Sequence, residues 1–143
     1  MDLKCSLEIN QMSWVKQPLV LAVDDDEDNL LLITQVLSLS NYSFITATNG
    51  LMALSIAEQR LPDLILLDVM LPDLDGAELV RCLRQNPQTV KIPVIAVTAM
   101  ARKEDRDRLL AAGCDEYISK PYMVDDLEEL IRRYLCSPLP PAV

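Results

Sequence analysis

The 143-residue sequence contains no histidine, only 3 glycines, and 13 lysine and arginine residues against 22 aspartate and glutamate residues. Without histidine, the chain itself supplies neither a phosphohistidine nor a histidine general base, and a zinc site would need other ligands. The net charge of −9 argues against nucleic-acid binding, which needs clustered lysine and arginine. The scarcity of glycine and the lack of a glycine-rich phosphate loop disfavour nucleotide binding.

The sequence also lacks an apolar run of about 18 residues, so we predict no membrane span. Residues 1–16 carry Asp2 and Glu8 and no apolar segment, which disfavours a signal peptide. The cysteines lie far apart with no Cys-x-x-Cys spacing, which is typical of free thiols in a reducing cytoplasm. They are Cys5, Cys82, Cys114 and Cys136.

Apolar residues make up 50% of the chain, enough for one core, and their pattern alternates between strands and helices. The strands are predicted at 19–23, 43–47, 63–68, 92–97 and 115–119. The helices are predicted at about 28–39, 51–59, 76–85, 103–112 and 124–135. Such alternation predicts an α/β fold, with a parallel sheet covered by helices on both faces. Residues 1–17 are interpreted as an extension, 18–136 as one domain and 137–143 as a short proline-rich tail.

One apolar run, 64–67, leads directly into Asp68. A short run of this kind predicts a strand buried on both faces, and its carboxyl end lies where open α/β folds bind ligands. The ends of three other predicted strands carry Asp24 with Asp25, Thr98 and Lys120. Because all the strands of a parallel sheet end at one edge, we expect these side chains to converge on Asp68.

Three neighbouring carboxylates repel one another unless a positive charge neutralises them. Lys120 is one candidate, and a divalent cation is another. An oxygen-only ligand set favours Mg²⁺. A cation with a lysine and a threonine hydroxyl nearby suits a phosphate group, and a central carboxylate can act as the nucleophile that accepts a phosphoryl group.

Four segments carry a family resemblance: VDDD at 23–26, LLDVMLPDLDG at 66–76, VTA at 97–99 and KPY at 120–122. Together and in this order they resemble the receiver domain of two-component response regulators, over about residues 18–136. The resemblance implies a doubly wound, flavodoxin-like (βα)₅ fold with strand order 2-1-3-4-5. It implies that Asp68 is the phosphoacceptor. It also implies that Mg²⁺ is bound directly by Asp25, by Asp24 either directly or through water, by Asp68 and by the backbone carbonyl of Met70.

The resemblance also implies roles for the remaining strand-end residues. Thr98, the amide of Ala99 and Lys120 would bind phosphoryl oxygens, and the bond before Pro121 is expected to be cis. Tyr117 occupies the position of an aromatic switch that responds to Thr98.

The positions that tune dephosphorylation in the family are Met70 and Met100 here. Both side chains are apolar and cannot orient a water molecule, so we predict slow self-dephosphorylation.

The predicted function is that of a stand-alone response regulator in the cytoplasm. The phosphoryl donor is a histidine kinase or histidine phosphotransfer protein, because the chain has no histidine. Phosphorylation would change the surface formed by helix 103–112, strand 115–119 and helix 124–135, which binds a downstream protein or a second copy of the chain. We expect no output domain, no binding to nucleic acid or membrane, and no catalysis beyond the protein's own phosphorylation and dephosphorylation.

Two rival functions remain open from the sequence. A Mg²⁺-dependent phosphohydrolase of the haloacid dehalogenase type would carry an aspartate as general acid at position 70, where this chain has Met70. A degenerate receiver would act without phosphorylation, but all five characteristic positions are intact.

Structural roles are alternatives for single residues: helix capping for Thr98, packing for Tyr117 and a plain ion pair for Lys120. Asp73 and Asp75 are interpreted as loop and cap residues, and Glu104 with Arg108 as a surface pair.

Overall fold

The computed structural model describes residues 17–99 and 102–135. The predicted tail, almost all of the predicted extension, and Met100 therefore lie outside the described residues. No helix in the described ranges is both long enough and apolar enough to cross a membrane.

Within the described residues 17–99 and 102–135, five strands alternate with five helices. The strands are β1 (Leu19–Val23), β2 (Ser43–Ala47), β3 (Leu64–Leu67), β4 (Val94–Thr98) and β5 (Glu116–Ser119). The helices are α1 (Glu27–Leu39), α2 (Gly50–Arg60), α3 (Gly76–Gln85), α4 (Lys103–Ala112) and α5 (Val124–Leu135). All strand pairs are parallel, and the strand order is β2-β1-β3-β4-β5. The predicted fold class is confirmed.

The two faces of the sheet bury different side chains because successive residues of a strand point to opposite faces. On one face, Val20 and Leu66 pack with residues of α1 and α5 such as Leu30 and Ile131. The opposite face packs against α2, α3 and α4. Strands β3 and β4 are buried along their whole length, as the continuous apolar runs predict.

Several strand boundaries differ from the predicted ones by one or two residues. Asp63 and Asp115 were predicted to lie in strands, but each precedes one. The Asp63 carboxylate accepts a hydrogen bond from the Leu19 amide at 2.8 Å, and that of Asp115 accepts one from the Val94 amide at 2.8 Å. Both aspartates therefore bind the first amide of a neighbouring strand. Asp68 likewise follows β3 directly rather than ending it.

Helix α4 is held by little apolar contact. Only Leu109 and Ala112 of its residues are buried, and its N-cap, Arg102, makes no side-chain capping hydrogen bond. Few buried contacts imply low local stability, which agrees with the expectation that this helix can move.

Candidate functional site

Two buried carboxylates lie at the carboxyl edge of the sheet. Asp24 follows β1 and donates its amide to the Ala47 carbonyl at 3.1 Å; Asp68 follows β3 and donates its amide to the Val23 carbonyl at 2.9 Å. These bonds fix both backbones, and the side chains of the two residues are enclosed. Asp25 is exposed, yet its carboxylate, with those of Asp24 and Asp68, forms a group whose oxygens lie within 4.8 Å of one another.

Lys120 brings the positive charge of the cluster. Its Nζ lies 2.9 Å from Asp24 Oδ2 and 3.3 Å from Asp68 Oδ2. Its amide donates to the Thr98 carbonyl at 2.9 Å, and the Lys120–Pro121 bond is cis. The ammonium group of Lys120, which follows β5, therefore reaches the two carboxylates that follow β1 and β3.

Burial and the neighbouring charges shift the pKa values of Asp68 and Lys120. Burial raises the pKa of Asp68 above the ordinary 3.8, and the Asp24 charge adds to this, while the Met70 amide and Lys120 oppose it. Burial acts to lower the pKa of Lys120, but the hydrogen bond to Asp24 and the charge of Asp68 outweigh it, so that the pKa is raised. One ammonium group thus leaves the carboxylates incompletely neutralised, and the site favours an additional cation.

The cluster of three carboxylates, from Asp24, Asp25 and Asp68, suits a small hard cation. All its donor atoms are oxygens, which Mg²⁺ prefers, and opposite ligands of a Mg²⁺ octahedron lie about 4 Å apart. One carboxylate oxygen from each of the three aspartates lies within 4.8 Å of the others. Small side-chain movements would bring these oxygens to the ligand–ligand distances of a Mg²⁺ site. The Met70 carbonyl belongs to the loop that follows Asp68 and is the fourth predicted ligand.

The loop after Asp68 is tied closely to it. The Met70 amide donates to Asp68 Oδ1 at 3.0 Å, and Met70 forms an isolated antiparallel bridge with Asp75. The Met70 side chain is 57% exposed. At the start of α3, a Cβ on Gly76 would lie 2.5 Å from Val69 Cα, so that only glycine permits this close approach.

Two further aspartates of this loop bind neighbouring elements. Asp73 accepts from the Gly50 amide at 2.7 Å and from the Leu51 amide at 3.0 Å, and these bonds lower its pKa. Asp75 caps α3 by accepting from the Ala77 amide at 3.1 Å. The assignment of both residues to loop and cap positions is confirmed.

Arg108 pairs with Asp75 across 33 positions, with Nη1 at 2.7 Å and Nη2 at 3.3 Å from the two carboxylate oxygens. The predicted Glu104–Arg108 pair is wrong, because the guanidinium group turns to the loop instead. Spacing along a helix indicates only local partners, so no signal in the sequence revealed this contact.

The remaining predicted residues lie around β4 and β5. Thr98 ends β4 and is fully buried, and Ala99 beside it is exposed. Thr98 does not cap α4, whose N-cap is Arg102.

Tyr117 packs against the core on the α4 side of the sheet, and the Arg106 guanidinium lies 5.6 Å from its ring centroid. The Tyr117 hydroxyl is buried and has no hydrogen-bond partner among the described residues.

Comparison with known proteins agrees with this geometry. The family profile of the response regulator receiver domain matches residues 20–132. The polar-differentiation response regulator DivK of Brucella anthropi is 43% identical over 116 residues, covering 81% of this chain and 94% of that protein. The same regulator of Brucella ovis is 42% identical over 116 residues, with the same coverage.

Solved structures give the same result. A response regulator from Chloroflexus aurantiacus superposes with a TM-score of 0.80 at 30% identity, covering 85% of this chain and 99% of that chain. The receiver domain of the sensor histidine kinase PA1611 from Pseudomonas aeruginosa, solved with a magnesium ion in its active-site cleft, gives 0.79 at 32% identity, covering 85% and 100%. The fold, the acidic site and the matched residues together show that this chain belongs to the response regulator receiver domain family of two-component systems.

Proposed function

We propose that this chain accepts a phosphoryl group on Asp68, with Mg²⁺ bound by Asp24, Asp25, Asp68 and the Met70 carbonyl. The observation that carries the proposal is the sharing of one ammonium group, that of Lys120, by the buried carboxylates of Asp24 and Asp68. A surplus of buried negative charge beside an accessible loop suits a site that binds a cation and then a phosphoryl group.

In the proposed reaction, a carboxylate oxygen of Asp68 attacks the phosphorus of a phosphohistidine. The new O–P bond forms as the N–P bond to the imidazole breaks, and the leaving imidazole takes up a proton from solvent. Bound Mg²⁺ would neutralise negative charge on the phosphoryl oxygens. Lys120, the Thr98 hydroxyl and the Ala99 amide hold the same oxygens, so the protein's contribution is positioning and charge neutralisation.

The donor is another molecule, because the sequence contains no histidine. Receiver domains work with histidine kinases, and a kinase or a histidine phosphotransfer protein is the proposed partner. We place the reaction in the cytoplasm, where the free thiols of Cys82 and Cys114 remain reduced. In the proposed function, the protein catalyses only its own phosphorylation and dephosphorylation and turns over no other substrate.

Phosphorylation is proposed to switch the α4-β5-α5 face. Thr98 moves toward the new oxygens, Tyr117 adjusts to the space, and the face then binds a downstream protein or a second copy of the chain. The small buried surface of α4 supports this, since such a helix moves at little energetic cost. Amide exchange with and without beryllofluoride as a phosphoryl mimic tests it, and unchanged protection across residues 103–122 would contradict it.

The central test is mass spectrometry after incubation with acetyl phosphate and Mg²⁺. The parent protein and Asp28→Ala, which removes an exposed aspartate of the same edge, should each gain one phosphoryl group. Asp68→Ala should gain none while keeping its folded circular dichroism spectrum. The absence of a mass gain in the parent protein would remove the proposal, and turnover of small phosphomonoesters would favour a phosphohydrolase instead.

A further inference from the structure

We infer that Arg108 is a positioning residue for the phosphorylation site, acting through Asp75 on the loop that follows Asp68. The inference rests on the proposed function of that site and adds an indirect connection between α4 and the acceptor, separate from the proposed switch of Thr98 and Tyr117. It concerns the charge pair between α4 and the start of α3.

The contacts form a continuous series. The Arg108 guanidinium binds both oxygens of the Asp75 carboxylate, at 2.7 and 3.3 Å. The backbone of Asp75 bridges to Met70. The Met70 amide in turn donates to Asp68 Oδ1 at 3.0 Å, and its carbonyl is the proposed metal ligand. A displacement of Arg108 would therefore reach the acceptor carboxylate through one ion pair, one backbone bridge and one hydrogen bond.

Arg108 differs from the other charged residues of its helix. Among the ion pairs of the described residues, those of Lys103 with Asp107 and of Arg102 with Asp105 stay within the α4 segment. Within residues 17–99 and 102–135, the Arg108–Asp75 pair is the one ion pair that joins α4 to another element. Because α4 buries only two side chains, the two-pronged ion pair adds a specific contact to the few that hold the helix against the loop.

Exposure limits the size of the effect. The side chains of Arg108 and Asp75 are 43% and 41% exposed, and exposed pairs contribute modestly and weaken in salt. A pair of this kind changes an equilibrium constant about two- to fivefold. We therefore expect Arg108→Gln to weaken Mg²⁺ binding about two- to fivefold at low ionic strength.

The direction in which Arg108→Gln changes the Mg²⁺ affinity distinguishes a positioning role from a simple electrostatic effect. Removing a positive charge near a cation site strengthens cation binding by its field alone, so a weakened affinity in Arg108→Gln is opposite to the field effect. Lys103→Gln is the matched control, because it removes the same charge and an ion pair from the same helix without touching the loop. Arg108→Lys keeps the charge and should restore part of the affinity.

The experiment is calorimetric titration of Mg²⁺ into the parent, Arg108→Gln, Arg108→Lys, Lys103→Gln, Asp75→Asn and the Asp75→Asn/Arg108→Gln double variant. Asparagine caps helices about as well as aspartate, so Asp75→Asn removes the ion pair and keeps the start of α3. We expect Arg108→Gln to have no further effect in the Asp75→Asn background. The difference between parent and Arg108→Gln should vanish at high salt.

A second readout needs neither metal nor phosphorylation. In the metal-free protein, the amides of Met70 and Gly76, which donate to Asp68 and to Val69, should exchange faster in Arg108→Gln than in Lys103→Gln. Equal Mg²⁺ affinity and equal exchange in these two variants would overturn the inference, as would full additivity in the double variant. Both measurements stand even if Asp68 accepts no phosphoryl group, so the two proposals fail separately.

Discussion

The Lys120 ammonium lies closer to Asp24, at 2.9 Å, than to Asp68, at 3.3 Å. Lys120 and Asp24 are far apart in the sequence, separated by 96 positions. The lysine therefore neutralises Asp24, a predicted metal ligand, more fully than Asp68, the predicted phosphoacceptor. Cation binding would relieve Lys120 of that role and leave its ammonium group available to phosphoryl oxygens.

Replacing Lys120 with methionine should destabilise the metal-free protein, because it leaves two buried carboxylates without a cation. Breaking a largely buried pair costs about 3 kcal/mol. We expect urea denaturation to show a loss of this size in the free energy of unfolding, and added Mg²⁺ to recover part of it. Lys91→Met, which changes an exposed lysine, is the control and should change stability little. Equal stability of both variants would show that Lys120 does not neutralise the cluster.

The raised pKa of Asp68 predicts how stability depends on pH. Between 3.8 and the pKa of folded Asp68, the folded protein binds more protons at this residue than the unfolded chain does. The contribution of Asp68 to the free energy of unfolding therefore falls as pH rises through that window and stays low above it. Asp68→Asn cannot titrate and lacks this fall.

Denaturation of the metal-free parent and of Asp68→Asn at a series of pH values from about 4 to 7 measures the effect. Other titrating groups largely cancel in the difference between the two proteins. We expect the advantage of Asp68→Asn to grow with pH and then to level off, and we expect protons to compete with Mg²⁺ for the parent in the same window. A difference that stays constant or shrinks would contradict the prediction.

The elements of the fold were predictable because their patterns are local. The apolar run 64–67 identifies a strand buried on both faces, and the stripe of Leu127 and Ile131 identifies the buried side of α5. The meeting of Asp24, Asp68 and Lys120 was also predictable, because parallel strands end at one edge.

What the sequence did not reveal depends on tertiary contacts. The sequence does not indicate which of the adjacent Asp24 and Asp25 is enclosed, and in the fold the first is buried and the second is exposed. Arg108 has a favourable partner at i−4, but its guanidinium binds Asp75, where two carboxylate oxygens are in reach. The burial of each aspartate and the ion-pair partner of Arg108 depend on which side chains the packed elements bring together. Local periodicity in the sequence does not indicate them.

Met70 offers a test of the lifetime of the phosphorylated state. Its exposed thioether side chain, two residues after Asp68, cannot orient a water molecule for attack on the phosphorus. We predict a lifetime well above seconds for the parent. Met70→Asn, which can hold a water, should shorten it about tenfold, the effect of one hydrogen bond of about 1.4 kcal/mol in the transition state.

The loss of the phosphoryl group from Asp68 can be followed by mass spectrometry after acetyl phosphate has been removed. Met70→Leu is the matched control, since leucine has a similar volume and no polar atom, and it should decay like the parent. A parent lifetime of only seconds, or equal decay in Met70→Asn and Met70→Leu, would show that this side chain does not limit hydrolysis.

The buried hydroxyl of Tyr117 is expected to lower the free energy of unfolding, and substitution of Tyr117 tests this. The hydroxyl is buried and unpartnered within the described ranges, and an unsatisfied buried polar group costs about 1–3 kcal/mol. Phenylalanine fills the same space without that group, so Tyr117→Phe should raise the free energy of unfolding by about 1 kcal/mol. The ring contact with Arg106 remains in this variant, and phosphorylation of Asp68 by acetyl phosphate should be unchanged.

Tyr117→Ala is the informative comparison, because it also removes the ring from the core next to α4. Deleting a largely buried aromatic ring costs about 3 kcal/mol or more, so Ala and Phe should change stability in opposite directions. If Tyr117→Phe is instead destabilised, the hydroxyl has a partner in the folded protein, and the inward position of the ring is stabilised by that bond rather than by packing alone.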